Sequence, residues 1–337
     1  MHQQDLFAAI TNWHATSWLY RPTSLVKRDQ PLMMPWLQGP EGAVLSVDTQ
    51  PECWQGILHL PGRQSECENR GIELFADTLS MLGQTLNDWR DPIRAIFMGA
   101  HSDPFAGPAQ AQELAVACAE IIAKQGCVVW IRTRGRIINR LRPRLAALGD
   151  KLRITVPFAT ASTAKARSLE PGAPSPKARM RQVTRLRSLG LAVLPIIEPL
   201  IPGVTDGKDN LDALMCLFEE FGISQTTIGY LPLPEGSLDR LGTVLEGGEL
   251  GSVAEIYRDG PRVKLPGGRI QRLIPRSWRM KHYAHLSAMA SRFGIRLHIC
   301  RWTNPDLEGE QSPETTPQAP KESLSERWKR HKQTTGQ

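Results

Sequence analysis

The sequence predicts an α/β protein built on a parallel sheet. Short runs of β-branched and other apolar residues alternate with longer stretches of helical pattern between residues 44 and 302. Several of the helical stretches end in a glycine, and the next strand follows that glycine within a few residues. Repeated strand–helix units of this size indicate right-handed crossovers, which build either a barrel or a doubly wound sheet.

Each predicted strand is a short run rich in valine, isoleucine and leucine, as expected for a strand buried on both faces. In chain order, strands are predicted at residues 43–47, 93–98, 127–132, 152–157, 191–197, 226–230 and 295–300. Each predicted helix shows apolar residues at helical spacing. Helices are predicted at residues 72–89, 109–125, 137–148, 177–189, 211–221 and 280–293, with cap glycines at Gly126, Gly149, Gly190, Gly222 and Gly294.

The composition divides the chain into three parts. Residues 1–42 lack a clear period and are expected to form an N-terminal extension packed on the barrel. Residues 43–307 carry the strand–helix units, with a glycine- and proline-rich insertion at about 232–278. Residues 308–337 contain almost no apolar side chains, so we expect a disordered basic tail.

The overall composition limits the class of protein. Hydrophobic residues make up 41% and charged residues 22%, which excludes a wholly disordered chain. The sequence has no apolar run near the roughly 18 residues that span a bilayer and no signal-peptide pattern, so we expect a cytoplasmic protein without membrane contact. The net charge of +7 favours acidic partners such as nucleic acid or phosphate-bearing ligands.

Six cysteines lie at positions 53, 67, 118, 127, 216 and 300. They are too dilute for a disulfide framework, and none has the CxxC spacing of a structural zinc site. Cys118 and Cys216 lie in apolar helical stretches, so we expect both to be buried, inert thiols.

Polar residues concentrate after the carboxyl ends of the predicted strands, where the working residues of a β/α barrel lie. Glu198 ends an apolar strand, and an unpaired buried carboxylate is costly, so it is the strongest candidate for a group directed into the barrel mouth. For Asp103, a turn or helix cap and a ligand contact are equally good interpretations. A scaffold ion pair is favoured for Glu170 with Arg179. The predicted ligand pocket comprises Ser102, Asp103, Arg134, Glu170, Arg179, Glu198 and Tyr230.

Four segments resemble, in order and spacing, the spore photoproduct lyase-like branch of the radical S-adenosylmethionine (radical SAM) superfamily. They are GAHSDPF, VVWIRTRGR, LEPGAPSPKARMRQVTRLRSLG and PLIPGVTD, and the agreement runs over residues 93–231. The C-terminal GIRLHICRWTNPDL is similar to the ends of such chains. The resemblance implies a partial parallel β/α barrel of radical SAM type. It also matches Arg134 to the family lysine that is implied to neutralise the carboxylate of SAM.

The chain departs from this family at the cluster motif. Radical SAM enzymes bind a 4Fe–4S cluster through C-x3-C-x2-C after the first strand, where this chain has Cys53. The two other ligand positions are Ile57 and Leu60, which cannot bind iron, and Cys67 does not restore the spacing. Because thiolates hold such a cluster, we expect Cys53 to be a remnant, with no metal and no cofactor bound. In the alternative, Cys53, Cys67 and Cys300 converge on an unorthodox cluster that works with SAM.

A long basic run suggests a nucleic-acid face. Few acidic residues interrupt it between positions 132 and 187, and such asymmetry attracts phosphates. The alternative is a solubilising helix surface. The predicted face comprises Arg132, Arg136, Arg140, Arg142, Arg144 and Arg153.

These observations together predict a radical SAM-like barrel protein that has lost its cluster and catalysis. It is expected to act as an accessory protein that binds nucleic acid or a nucleotide, and a partner protein is a further candidate partner. The alternatives are an active radical SAM enzyme of the DNA-repair lyase type and a repurposed iron-free enzyme. The chain lacks the GxGxxG and GxxxxGK[ST] motifs, which disfavours dinucleotide-binding and P-loop folds.

Overall fold

The computed structural model describes residues 23–26, 32–37, 43–49, 72–100, 102–265 and 268–307. Its central sheet has eight strands, of which seven run parallel and one, at an edge, runs antiparallel. In chain order the strands of this sheet are β2 (Met33–Leu37), β3 (Ala43–Val47), β5 (Ile93–Met98), β6 (Val128–Arg132), β7 (Leu152–Pro157), β8 (Ala192–Leu200), β9 (Gln225–Tyr230) and β13 (Arg296–Ile299). Their spatial order is β13-β9-β8-β7-β6-β5-β3-β2.

Helices connect successive parallel strands, as the alternating sequence pattern predicts. They are α1 (Thr78–Asp88), α2 (Ala109–Lys124), α3 (Arg142–Ala146), α4 (Thr163–Leu169), α5 (Pro176–Arg187), α6 (Lys208–Glu220), α7 (Ser237–Leu241), α8 (Gly247–Tyr257) and α9 (Arg276–Ser291). Short 3-10 helices at Asn139–Leu141 and Gly149–Lys151 flank α3. The predicted α/β class with a parallel sheet is therefore confirmed.

One segment differs from its prediction. The sequence predicts one helix over 72–89, but Ile72–Phe75 forms strand β4. This strand pairs in parallel with β1, at Thr23–Val26, and the helix begins only at Thr78.

The predicted insertion 232–278 contains a small antiparallel sheet. Its strands are β10 (Leu233–Pro234), β12 (Ile270–Arg272) and β11 (Arg262–Lys264).

The two faces of the central sheet carry different side chains, because successive residues of a strand point to opposite sides. One face packs against the helices in the main core, which includes Ile96, Ile131 and Ile154. The other face carries a small separate cluster that includes Phe97 and Trp130. This helix-free inner face, rather than the main core, is where a ligand has access to the sheet.

The cap glycines and one cysteine agree with the prediction, and a second cysteine does not. All five predicted cap glycines adopt a positive φ between 55° and 80°, the left-handed conformation in which glycine has no steric penalty. Cys118 is buried in the main core, as expected. Cys216 is exposed, so its prediction is wrong: Met215 and Leu217 on either side of it are buried, and position 216 falls on the outer face of α6.

Several expectations concern residues outside the described ranges. Cys53, Cys67 and the tail 308–337 belong to this group, as does most of the N-terminal extension 1–42. Across the ranges given above, no helix is both long enough and apolar enough to pass through a bilayer.

Candidate functional site

Asp103 joins the loop after β5 to the loop after β6. Its Oδ1 accepts hydrogen bonds from the backbone N–H of Phe105 at 2.9 Å and the hydroxyl of Thr133 at 2.5 Å. Its Oδ2 accepts from the backbone N–H groups of Arg134 at 2.6 Å and Gly135 at 3.2 Å. Burial raises the pKa of the Asp103 carboxyl, and these donors oppose that rise. Both oxygens accept hydrogen bonds within these loops, so Asp103 fixes the two loops to each other.

Gly135 is the point of closest approach between these two loops. A Cβ at this position would lie 2.2 Å from the carbonyl oxygen of Phe105, so only glycine fits without a backbone shift. The side-chain amide of Gln182, on α5, donates to the carbonyl of Gly135 at 2.9 Å. The side-chain amide of Gln112, on α2, donates to the carbonyl of Arg136 at 3.0 Å. The loop after β6 is thereby fixed to helices on both sides.

Glu170 bridges two buried arginines. Its Oε1 accepts from Arg134 Nε and its Oε2 from Arg179 Nη2, each at 2.6 Å. Arg179 also donates to the carbonyl of Pro157 at 2.6 Å, and its guanidinium lies 4.9 Å from the ring centroid of Phe158. Burial alone would raise the pKa of the Glu170 carboxyl, but Arg179 and Arg134 outweigh it, so this pKa lies below its ordinary value.

The ion pair between Glu170 and Arg179 is thus present, and it includes Arg134 as well. Burial lowers the pKa of Arg134, while the Glu170 carboxylate acts in the opposite direction. Its Nη2 also reaches the backbone carbonyl of Glu198 at 3.4 Å. The arginine that the family resemblance assigns to the carboxylate of SAM is therefore held by a carboxylate of this chain.

A narrow pocket opens on the inner face of the sheet. Glu198 lies in this pocket and is 2% exposed. Its Oε2 accepts from Arg132 Nη2 at 2.9 Å, whereas its Oε1 has no nitrogen or oxygen donor within hydrogen-bond distance among the described residues. The lining consists of residues from the central strands and the segment after β13: Phe97, Trp130, Arg132, Thr155, Ile196, Glu198, Thr227, Cys300 and Trp302.

Glycine and cysteine side chains border the free side of the Glu198 carboxylate. A Cβ at Gly229 would lie 2.7 Å from Thr303 Oγ1 and 3.0 Å from Glu198 Oε1, so the absence of a side chain lets both groups approach this strand. The thiol of Cys300 lies beside the same carboxylate. Burial, and then the negative charge of Glu198, raises the pKa of Cys300 to about 12. The thiol is therefore protonated at neutral pH, when it is a weak donor and not a nucleophile.

Three aromatic rings form one wall of the pocket. The ring centroids of Trp130 and Trp302 are 4.3 Å apart, and Phe97 lies 5.7 Å from Trp130 and 5.3 Å from Trp302. The indole Nε1 of Trp130 is buried and has no hydrogen-bond partner among the described residues. The pocket therefore offers an aromatic wall, an unused donor and an unused acceptor, which is the arrangement that orients a planar polar ligand.

The residues of the predicted ligand pocket lie in separate places in the structure. Of these residues, only Glu198 lines the cavity. Ser102 and Asp103 are buried in the loop after β5, and Arg134, Glu170 and Arg179 form the bridge behind it.

Tyr230 lies outside this cavity. Its hydroxyl donates to Asp206 Oδ2 at 3.0 Å, and its ring contacts Trp278 and Tyr283. The physical reason is strand alternation: Thr227 on β9 lines the pocket, so Tyr230, three residues further along, faces the helices.

The predicted nucleic-acid face is not one surface. Arg132 lines the pocket and pairs with Glu198, and Arg153 pairs in register with Trp130 on the neighbouring strand. Arg142 is buried. Arg140 and Arg144 form ion pairs with Glu113 and Glu120, which lie on α2, far away in sequence. Arg136 is the exposed member without an ion pair among the described residues.

Thr155, Thr227 and Cys300 were not among the predicted site residues. Side chains alternate between the two faces of the sheet, and these three lie on the inner face with the other pocket residues. Once that face is known, the alternation along β7, along β9 and through the end of β13 predicts them. Within the ranges covered by the structure, no set of three His, Cys, Asp or Glu side chains is arranged to hold a metal ion.

Sequence comparison gives partial matches. The chain matches no described protein-family profile. It is 25% identical over 142 residues to "Uncharacterized protein Rv2578c" of Mycobacterium tuberculosis, covering 42% of this chain and 41% of that protein. It is 29% identical over 103 residues to "Uncharacterized protein ORF301" of Acidianus two-tailed virus, covering 30% and 34%. The matched segments thus span less than half the length of these curated relatives.

Structure comparison is more extensive. A mutant of spore photoproduct lyase superposes with a TM-score of 0.57 at 12% identity, over 82% of each chain. Spore photoproduct lyase complexed with dinucleoside spore photoproduct superposes with a TM-score of 0.54 at 11% identity, over 88% of this chain and 94% of that one. At this identity the likeness shows the fold alone. The predicted partial barrel of radical SAM type is confirmed.

Proposed function

We propose that this radical SAM-type barrel holds no 4Fe–4S cluster and acts as a binding protein for a nucleotide or nucleic acid, with a base-like ring in the pocket at Glu198. The observation that carries the proposal is the pair of unused polar atoms in that pocket, Glu198 Oε1 and Trp130 Nε1, beside an aromatic wall. Buried polar atoms normally have partners, so an unmatched acceptor and donor lining one cavity suggest that a ligand supplies them.

The polar edge of a nucleobase matches the hydrogen-bonding groups at this pocket. Its ring can stack against the indole of Trp302, which is only half-buried. An N–H on its edge can donate to Glu198 Oε1, and a carbonyl or ring nitrogen can accept from Trp130 Nε1. Because Arg132 balances the charge of Glu198, a neutral ring suits the site better than a cation.

The donor set of the chain does not fit a 4Fe–4S cluster. Cys53 is followed at the two other motif positions by Ile57 and Leu60. Cys118 and Cys127 lie in the helix-side core, away from the pocket. Cys300 is the one cysteine among the described residues that line the pocket. A cluster needs several thiolates close together, so the proposed function involves binding without radical chemistry.

Binding of free nucleosides should depend on the two unused atoms. Replacing the acceptor, Glu198→Gln, is expected to weaken binding about 10-fold or more, because a hydrogen bond to a charged group contributes about 1.5–3 kcal/mol. Trp130→Phe retains a ring but removes the donor, and it should weaken binding about 2- to 10-fold. The measurement is isothermal titration calorimetry with a panel of nucleosides.

Trp278→Phe is the matched control, because Trp278 stacks on His282 outside the pocket. The Trp278→Phe variant should bind nucleosides with the same affinity as the unmodified chain. If all three variants bind nucleosides as the unmodified chain does, the ligand is not a base in this pocket.

Anaerobic reconstitution with iron and sulfide tests the absence of a cluster. We expect the chain to retain less than about one iron after desalting. The double variant Ile57→Cys, Leu60→Cys restores the C-x3-C-x2-C spacing with Cys53, and it should retain about four irons. A brown unmodified chain with the iron content of the restored variant, together with cleavage of SAM, would instead establish the alternative of an active enzyme.

A further inference from the structure

The outer surface beside the loop after β6 gathers arginines from three elements. The side-chain oxygen of Gln182, on α5, accepts a hydrogen bond from the backbone N–H of Ile137 at 2.9 Å. The loop after β6 therefore lies against α5. Arg142, at the start of α3, donates from Nη2 to the carbonyl of Ile137 at 3.1 Å. Arg185 follows Gln182 by one helical turn on α5, and Arg136 directly precedes Ile137. Arg136, Arg142 and Arg185 therefore belong to one patch, here called the arginine triad.

The triad differs from neighbouring arginines in having no acidic partner. Arg140 and Arg144 are neutralised by Glu113 and Glu120. No described acidic side chain forms an ion pair with a member of the triad. The glutamates of α2 thus pair with Arg140 and Arg144. The three charges of the triad have no such partner among the described side chains.

Arg142 contributes a buried donor without an acceptor. The residue is 7% exposed, and its Nε is buried with no hydrogen-bond partner. Burial, followed by the positive charges of Arg185 and Arg136, lowers the pKa of Arg142. Neighbouring like charges repel one another, and a bound anion relieves that repulsion. A guanidinium is well suited to the oxygens of a phosphate.

The charge continues along α5. Arg181 lies one turn before Arg185, is exposed, and forms no ion pair among the described side chains. The patch is therefore an elongated row rather than a single pocket. A row of cations matches a chain of phosphates better than one free phosphate, because each phosphodiester contact releases counterions and adds to the affinity.

We infer that the arginine triad, extended by Arg181, is a sequence-independent contact for the phosphodiester backbone of nucleic acid. This inference deepens the proposed function, because it locates a backbone contact apart from the pocket that takes the base. The patch has no exposed aromatic ring of its own on α5, so it binds the backbone without selecting a base.

The test compares two charge-matched double variants in binding a fluorescent single-stranded oligonucleotide at several salt concentrations. Arg136→Gln, Arg185→Gln should weaken binding at least 10-fold at low salt. It should also reduce the slope of log affinity against log salt by about 1.4, since each contact with a single strand contributes about 0.7. Arg140→Gln, Arg144→Gln removes the same charge from the paired arginines and should change affinity by less than about twofold. Equal losses in the two variants, or no loss in either, would overturn the assignment.

Two further arms separate this inference from the pocket and from a free anion. Titration of nucleosides, which lack phosphate, should be unchanged by Arg136→Gln, Arg185→Gln, whereas Glu198→Gln should leave the salt slope intact. Failure of nucleoside binding alone would thus remove the pocket proposal and leave the arginine contact standing. If inorganic phosphate displaces the oligonucleotide at equal phosphate concentration, the patch takes a single phosphate and the backbone assignment is wrong.

Discussion

The variant Glu170→Gln is expected to lose about 3–5 kcal/mol of unfolding free energy, because removing one partner of a buried ion pair leaves uncompensated charge. Glu170 is the shared partner of Arg134 and Arg179, and the side chains of all three are 6% exposed or less. The loss should appear as a lower midpoint of urea unfolding at an unchanged slope.

Glu113→Gln provides the matched control. Glu113 also contacts two arginines, but its side chain is 37% exposed. Solvent-exposed pairs contribute about 0–1 kcal/mol. Equal effects of the two substitutions would contradict a buried bridge.

Acid unfolding gives a second readout of the same bridge. The folded-state pKa of Glu170 is depressed, so its contribution is present above the ordinary glutamate pKa of about 4.3 and is lost as the pH falls towards the folded value. The unmodified chain should lose this part of its stability on acidification below about pH 4.3. In Glu170→Gln this contribution is already absent, so the gap between the two chains should narrow as the pH falls.

Asp103→Asn is expected to lower the unfolding free energy by about 3–6 kcal/mol, since an amide nitrogen replaces an oxygen that accepts two hydrogen bonds of about 1.5–3 kcal/mol each. Both oxygens of Asp103 accept from N–H or O–H groups. In either orientation, the amide NH2 of the asparagine would therefore face two of these donors. Denaturant unfolding measures the loss. Asp91→Asn, at an exposed position ahead of β5, should stay within about 0.5 kcal/mol.

A ligand role for Asp103 would give a different result. The variant would then fold with nearly unchanged stability and lose only nucleoside affinity. Pairing the unfolding measurement with calorimetry on the same preparation therefore separates the two interpretations that the sequence alone leaves equal.

The fold was largely predictable because its strands are apolar on both faces and its helices end at glycines. The failure at residues 72–75 has a tertiary cause. The segment Ile-Glu-Leu-Phe suits helix and strand alike, and pairing with β1, far away in sequence, decides it.

The site was predictable where one residue broke a local rule. Glu198 is a carboxylate at the end of an apolar strand, and it does line the cavity. The basic run could not be resolved further, because local sequence shows charges but not their partners. The acids that neutralise Arg140 and Arg144 lie on α2, which precedes β6, 24 to 31 residues earlier in the chain. Which arginines remain unpaired is a property of the fold.

The linear order of the central sheet has a consequence for access. Within the described ranges β2 and β13 are its two ends, and they do not pair with each other. A closed ring of eight strands has an interior just wide enough to be filled by its own side chains. Among the described strands the ring stays incomplete, so the ligand we propose, a base still attached to its polymer, would have a sideways route inward between β2 and β13.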